Sequence, residues 1–286
     1  MIAVKLEGRL GNQLFQYAFI YSTARKLNRS FYIDKSTIDF MVPEYFGLGS
    51  DSLFFFDKYI FSIKGYKNIF SFHLKHLFYR LLKNLYQLKE TTFDNNQAPA
   101  AQLSNLTDKA LYKGYFQSEE YFTDYKEDVF KIFTIKEKYK QEFKAILNLI
   151  PASEKYITVH IRRGDYTDMD FALPIEYYHK AIESIHSDEN YYIFISDDFQ
   201  FIESEFSYVN RKYLSRHSEI IDLQFLSHAD ICILSNSSFS WWGAYLNLKQ
   251  PQIIAPQYWM GQSQRTELPV NIIPYNWQKF RTVQTA

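Results

Sequence analysis

The stretch Tyr156-Ile157-Thr158-Val159-His160-Ile161-Arg162-Arg163-Gly164-Asp165-Tyr166 decides how the chain is read. Its first six residues form a strand-like run, and a dense polar cluster follows at once. Working outward, further strand-like runs lie at 191–196, 212–214, 230–235 and 252–255. Helical stretches lie between them at 174–186, 199–205, 219–228 and 239–248. Strands alternating with helices predict a parallel, doubly wound sheet. Pro151 marks the boundary before this regular half.

The N-terminal half opens in a similar way. Residues 2–7 read as a buried strand, 8–13 as a loop, 14–28 as a helix and 30–34 as a second strand. Phe15, Phe19 and Leu27 keep helical spacing. This β-loop-α-β opening favours an α/β fold. The expected layout is two α/β halves, 1–150 and 151–286, with a cleft between them.

The region between is less regular. Residues 41–60 hold Pro43, Gly47, Gly49 and the run Phe54-Phe55-Phe56. Residues 58–89 carry seven Lys/Arg and no acid. Within them, Phe70, Leu74, Leu77, Phe78, Leu81, Leu85 and Leu88 fall on one face. Lys75, His76, Tyr79, Arg80, Lys83 and Gln87 fall on the other, which predicts a basic amphipathic helix at 70–88. Such a helix suits an anionic lipid surface or a plain solvated face. Residues 90–108 read as a loop and 112–118 as a strand, with Ser118 capping a helix that has Glu119 and Glu120 in its first turn. Thr134-Ile135-Lys136-Glu137 reads as a capping box opening another helix, which Pro151 ends.

Composition narrows the function. Lys+Arg and Asp+Glu are 32 each, so the formal net charge is zero. That argues against a mainly electrostatic nucleic-acid binder. A single cysteine, Cys232, excludes an intrachain disulfide framework and a Cys-rich zinc site. Aromatic residues reach 19%; they suit sugar stacking, although most must be core. The first residues lack the pattern of a signal peptide, and no run reaches the ~18 apolar residues of a membrane span. The expectation is a cytoplasmic protein, soluble or peripheral to the inner face of a membrane.

Ligands of parallel α/β sheets bind beyond the carboxyl ends of the strands, and three polar clusters occupy that position. His160 to Tyr166 offers two arginines, whose forked donors match phosphate oxygens. The alternative there is an internal Arg–Asp pair that holds the loop, Asp165 with Arg163. Ser196-Asp197-Asp198 offers carboxylates for a guanine edge, a sugar diol or a helix cap. Ser235 to Gly243 sets small hydroxyls at a helix start, where free N–H groups favour an anion. Together they point to a phosphate-bearing ligand with a cyclic head group. Asp168-Met169-Asp170 is also an Asp-x-Asp, a pattern that can hold a cation with a nucleotide sugar. No Gly-x-Gly-x-x-Gly fingerprint, Walker lysine loop, His-Glu-x-x-His or Gly-x-Ser-x-Gly occurs.

The run from His160 to Tyr166 resembles the signature of the α-1,2-fucosyltransferases, glycosyltransferase family 11. So do Gly8-Arg9-Leu10-Gly11-Asn12-Gln13-Leu14-Phe15-Gln16-Tyr17, Gly114-Tyr115-Phe116-Gln117-Ser118 and the run at 235–244. They stand in family order across nearly the whole chain, and only 41–110 has no counterpart. The resemblance implies an α/β fold of GT-B type: two Rossmann-like lobes with a cleft between them. The first lobe would be acceptor-side, the second donor-binding. It implies GDP-β-L-fucose as donor, a galactose-containing glycan as acceptor, inversion at the anomeric carbon and no required metal. Arg162 would meet the β-phosphate. His160 and Asp198 would contact guanine. Ser237, Ser238 and Phe239 would complete the donor site. Arg9, Gly11, Asn12 and Gln13 would close over the donor, with Asn12 catalytic beside Arg162. Asp170 would be the general base, with Asp168 as its rival. Two readings compete: another nucleotide-sugar transferase with a metal at Asp168 and Asp170, and a non-catalytic carbohydrate-binding protein.

Overall fold

The structure is a computed structural model that describes residues 1–48 and 69–282, with side chains described from residue 73 onward in the second stretch. The Phe54-Phe55-Phe56 run, Gly49 and the start of the acid-free stretch lie outside the described residues. The chain divides into two compact units, residues 1–136 and 137–286.

In the first unit β1 (Ile2–Lys5) leads into α1 (Leu10–Leu27), β2 (Phe31–Asp34) and the short α2 (Val42–Tyr45). Then come α3 (Ile69–Leu85), β3 (Lys89–Thr92), α4 (Pro99–Leu103), β4 (Ala110–Lys113) and α5 (Lys126–Ile132). The four strands are parallel, in the order β2-β1-β4-β3. The first helix starts at Leu10, inside the stretch expected to be a loop. Gly8 makes the turn before it at φ 75, and a Cβ there would lie 2.2 Å from Asn12 Nδ2. The helix ends where Asn28 takes the left-handed region at φ 50 and returns its N–H to Ala24 and Arg25 carbonyls. Much of the aromatic excess is core here. Phe19 stacks on Phe116 at 3.8 Å and meets Phe93, Tyr112 and Tyr121 edge-on.

The basic helix is present as α3, but its buried face differs from the expected one. Tyr79, assigned to the polar side, is 3% exposed and packs with Ala3, Tyr32, Leu88 and Leu111. Its ring buries well while its hydroxyl remains a polar tip. Leu74, Leu77, Leu81 and Leu85, assigned to the apolar face, are 43–70% exposed. Among the described residues, no helix is long and apolar enough to cross a membrane.

The second unit opens with α6 (Glu137–Leu147), whose Phe143 packs on Phe225 and His228. That packing moves the division from the expected 150 to 136. Thr134 does not cap this helix; its hydroxyl donates to Lys131 O at 2.7 Å. The unit continues through β5 (Lys155–Ile161), α7 (Gly164–Asp168), α8 (Ile175–Ser184), β6 (Asn190–Ser196) and α9 (Phe199–Glu205). It closes with β7 (Lys212–Ser215), α10 (Glu219–His228), β8 (Ile231–Ile233), α11 (Ser238–Tyr245), β9 (Gln252–Pro256) and β10 (Gln278–Phe280). All pairs are parallel, in the order β10-β9-β8-β5-β6-β7. Counted from β5, that order reads 3-2-1-4-5-6, the doubly wound arrangement whose ligands sit where the winding reverses. The reversal lies between β5 and β8. The core is Ile157, Val159, Ile161, Phe194, Ile202, Phe206 and their neighbours.

Candidate active site

The chemistry-bearing loops of the second unit meet at this reversal point. The loop after β5 carries Arg162 and Arg163, the loop after β6 carries Asp197 and Asp198, and the loop after β8 carries Ser235 to Ser237. Residues more than thirty positions apart are thus placed side by side by strand order alone.

Arg162 is held by two acids. One guanidinium nitrogen donates to Asp165 Oδ1 at 2.5 Å, the other to Asp197 Oδ2 at 2.7 Å. Asp165 thus pairs with Arg162. Arg163 instead donates from Nε to Asp198 Oδ2 at 3.2 Å and from its backbone N–H to Asp197 Oδ1 at 2.9 Å. Its guanidinium also lies 3.7 Å from the Phe201 ring centre. Asp198 caps α9 by accepting from Phe201 N at 3.0 Å. A carboxylate has about four acceptor sites, so capping leaves Asp198 able to take donors from a ligand. Asp197, which the sequence offers only beside Asp198 in one cluster, organises the site. Nothing local in the sequence marks it over Asp198, because its role comes from β5 lying beside β6.

His160 lies at the end of β5, 5% exposed, with its ring 5.5 Å from Phe239. Its Nδ1 shares a 2.7 Å hydrogen bond with Ser235 Oγ across the reversal point. Burial first, and the positive Arg162 second, push its pKa down to about 3, so the ring is neutral near pH 7. Ser237 caps α11, its hydroxyl accepting from Phe239 N at 3.3 Å. The first N–H groups of α11 and the helix dipole give this end a positive character. Trp241 and Trp242 are fully buried, and Trp241 Nε1 donates to Ile272 O at 2.7 Å. They are the packing base of the loop.

Asp170 is exposed, in a turn at φ 57. The next residue, Phe171, is tied back to the serine loop, since its carbonyl accepts from Asn236 Nδ2 at 2.8 Å. Asp168 is exposed at the end of α7. Among the described residues, no three His, Cys, Asp or Glu gather as a metal-binding group.

In the first unit β1 and β4 lie side by side at the centre of the sheet. There Gln117 Nε2 donates to Asn12 Oδ1 at 2.9 Å and Gln16 Nε2 donates to Gly114 O at 2.9 Å. Gln13 is 1% exposed and engaged on both ends. Its amide nitrogen donates to Asp39 O and Gly8 O, and its carbonyl accepts from Met41 N. Gly11 is buried as well. Gln13 is thus a brace of its own loop, whereas Arg9, at the N-cap of α1, remains exposed.

Over residues 1–280 the chain matches Glycosyl transferase family 11. It is 29% identical to the O-antigen biosynthesis glycosyltransferase WbnK of Escherichia coli, covering 93% of this chain and 97% of that one. It is 28% identical to an alpha-1,2-colitosyltransferase of Escherichia coli, covering 91% and 92%. Among solved structures, the fucosyltransferase NodZ from Bradyrhizobium shares the GT-B-type fold. Its TM-score is 0.54 at 14% identity, over 89% of this chain and 94% of that one. A doubly wound second unit, an arginine-rich loop at its reversal point and a match over nearly the full length agree: this chain is a glycosyltransferase and belongs to glycosyl transferase family 11.

Proposed function

We propose that the protein transfers L-fucose from GDP-β-L-fucose, with inversion, to the 2-hydroxyl of a β-galactoside in a glycan. The observation that carries this reading is the meeting of Arg162, neutral His160 and the α11 N-terminus at one reversal point. Departure of GDP builds charge on its β-phosphate. Arg162 and the α11 N–H groups stabilise that charge as it develops, which is where catalysis is gained. Asp165 and Asp197 hold the guanidinium in place beforehand. His160 and Asp198 face the guanine base, and Ser237, Ser238 and Phe239 line the diphosphate. Arg9, Gly11 and Asn12 are assigned to the donor as well, on a loop that Gln13 braces. Asp170 takes the proton from the acceptor hydroxyl. No metal is needed, because Arg162 and the helix end supply the positive charge.

The test is transfer from GDP-fucose to a β-galactoside, with the linkage read by NMR. Arg162→Lys keeps the charge and loses the fork, so transfer should fall about a hundredfold; near wild-type turnover contradicts the role. One relative's name favours a second reading, transfer of a colitosyl group through the same site. Competition between the two donors decides it.

We further propose that the outward leucines of α3 rest on an anionic bilayer. The described helix and its flank carry Lys75, Arg80, Lys83 and Lys89, with no acid from 69 to 89. Pairing two copies through this stripe would set cations against cations, whereas an anionic surface complements them.

A further inference from the structure

Ser235 is fully buried at the end of β8, and its hydroxyl has one partner among the described residues, His160 Nδ1 at 2.7 Å. Two arrangements share that distance. If the ring donated from Nδ1–H, the serine hydroxyl proton would face no acceptor in a sealed site. A buried donor left unmade carries its full desolvation penalty. If the hydroxyl donates to Nδ1, both the hydroxyl proton and the Nδ1 lone pair are used. The backbone fixes the rest: Ser235 O accepts from Ser240 Oγ at 3.3 Å, and Leu234 N donates to Ile254 O at 2.9 Å. The serine is therefore held by both α11 and β9. The other ring nitrogen, Nε2, takes no partner among the described residues and is not one of the sealed polar atoms.

We propose that Ser235 is a positioning residue: its hydroxyl donates to His160 Nδ1 and holds the imidazole as the Nε2–H tautomer, a fixed N–H donor for an acceptor oxygen of the bound nucleotide. The ligand half of this statement rests on the GDP reading above. A neutral ring with its proton on the wrong nitrogen would present a lone pair to that oxygen and repel it. The serine thus decides whether His160 attracts or rejects the ligand.

The test is nitrogen NMR of the full chain labelled with 15N-histidine, with His160→Gln used to assign the signal. The expected wild-type spectrum shows His160 protonated at Nε2 and bare at Nδ1, without nucleotide, from pH 5 to 8. In Ser235→Ala the signal should shift toward a mixture of tautomers. Calorimetry should then show GDP binding weakened about tenfold, with Ser235→Thr restoring much of it. A Nδ1–H tautomer or a charged ring in the wild type overturns the proposal, as does an unchanged tautomer in Ser235→Ala. The NMR readout needs no ligand, so it stands or falls apart from the GDP reading.

Discussion

Gly164 shows how one missing side chain sets the site. An ideal Cβ there would lie 2.6 Å from Asp197 Oδ2, the oxygen that holds Arg162. That carboxylate cannot swing away cheaply, because its other oxygen accepts from Arg163 N. Gly164→Ala should displace Asp197, loosen Arg162 and weaken GDP binding about tenfold or more, with thermal stability nearly unchanged. Unchanged GDP affinity by calorimetry would show that Asp197 does not set the arginine. Asp222 makes a stability prediction of its own. Burial pushes its pKa up to about 7, against the opposing hydrogen bond that Ser215 donates to it. Between about pH 4 and 7 the folded state keeps this proton and the unfolded chain loses it, so the contribution falls as pH rises. His160 acts oppositely: it resists protonation when folded, so its contribution falls as pH drops from about 6.5 toward 3. Asp222→Asn removes the first slope only. Relative to wild type, the variant should gain up to about 1.4 kcal/mol per pH unit on going from pH 4 to 7. Denaturant titrations at several pH values read this directly, and a pH-independent difference contradicts it.

At the scale of elements, packing is clearest between α10 and α11. Gly243 faces Leu226, whose Cβ would be 2.5 Å from an added methyl. Gly243→Ala should therefore cost about 1–3 kcal/mol, read as a lowered denaturation midpoint; an unchanged midpoint would mean that the helices can separate freely. The outward stripe of α3 makes a binding prediction. The chain should co-float with phosphatidylglycerol vesicles and not with neutral ones. Replacing Leu77 and Leu81 by serine should abolish that binding, and no flotation of the wild type refutes the bilayer contact. The exposed pairs Lys75–Asp39 and Lys83–Glu90 weaken this surface little. Elements also show what a sequence hides. The buried strands β5 and β6 were readable because apolar runs mark them. β3 looks like loop in the sequence because Lys89-Glu90-Thr91-Thr92 is a largely exposed edge strand without an apolar run. β10 is hidden for the same reason: three residues at the edge of the second sheet, without an apolar run. The early start of α1 was hidden because Gly11, Asn12 and Gln13 look like loop residues, while Gly8 alone makes the turn.

For the whole molecule, two α/β halves were legible from alternation, the second of them as a doubly wound sheet, and the loop clusters were legible from strand ends. Their mutual wiring was not. That Asp197 organises both arginines and that Ser235 reaches His160 depend on β5 lying between β6 and β8. Spacing along the chain carries no trace of that order. The central claim is a guanine nucleotide held without metal at the reversal point of the second unit. The most direct test is calorimetry of the full chain with GDP, GDP-fucose, UDP and UDP-galactose, each with and without chelator. The account predicts GDP-selective binding that survives chelator and is lost in Arg162→Lys. Preference for UDP, or binding that needs metal, would contradict it.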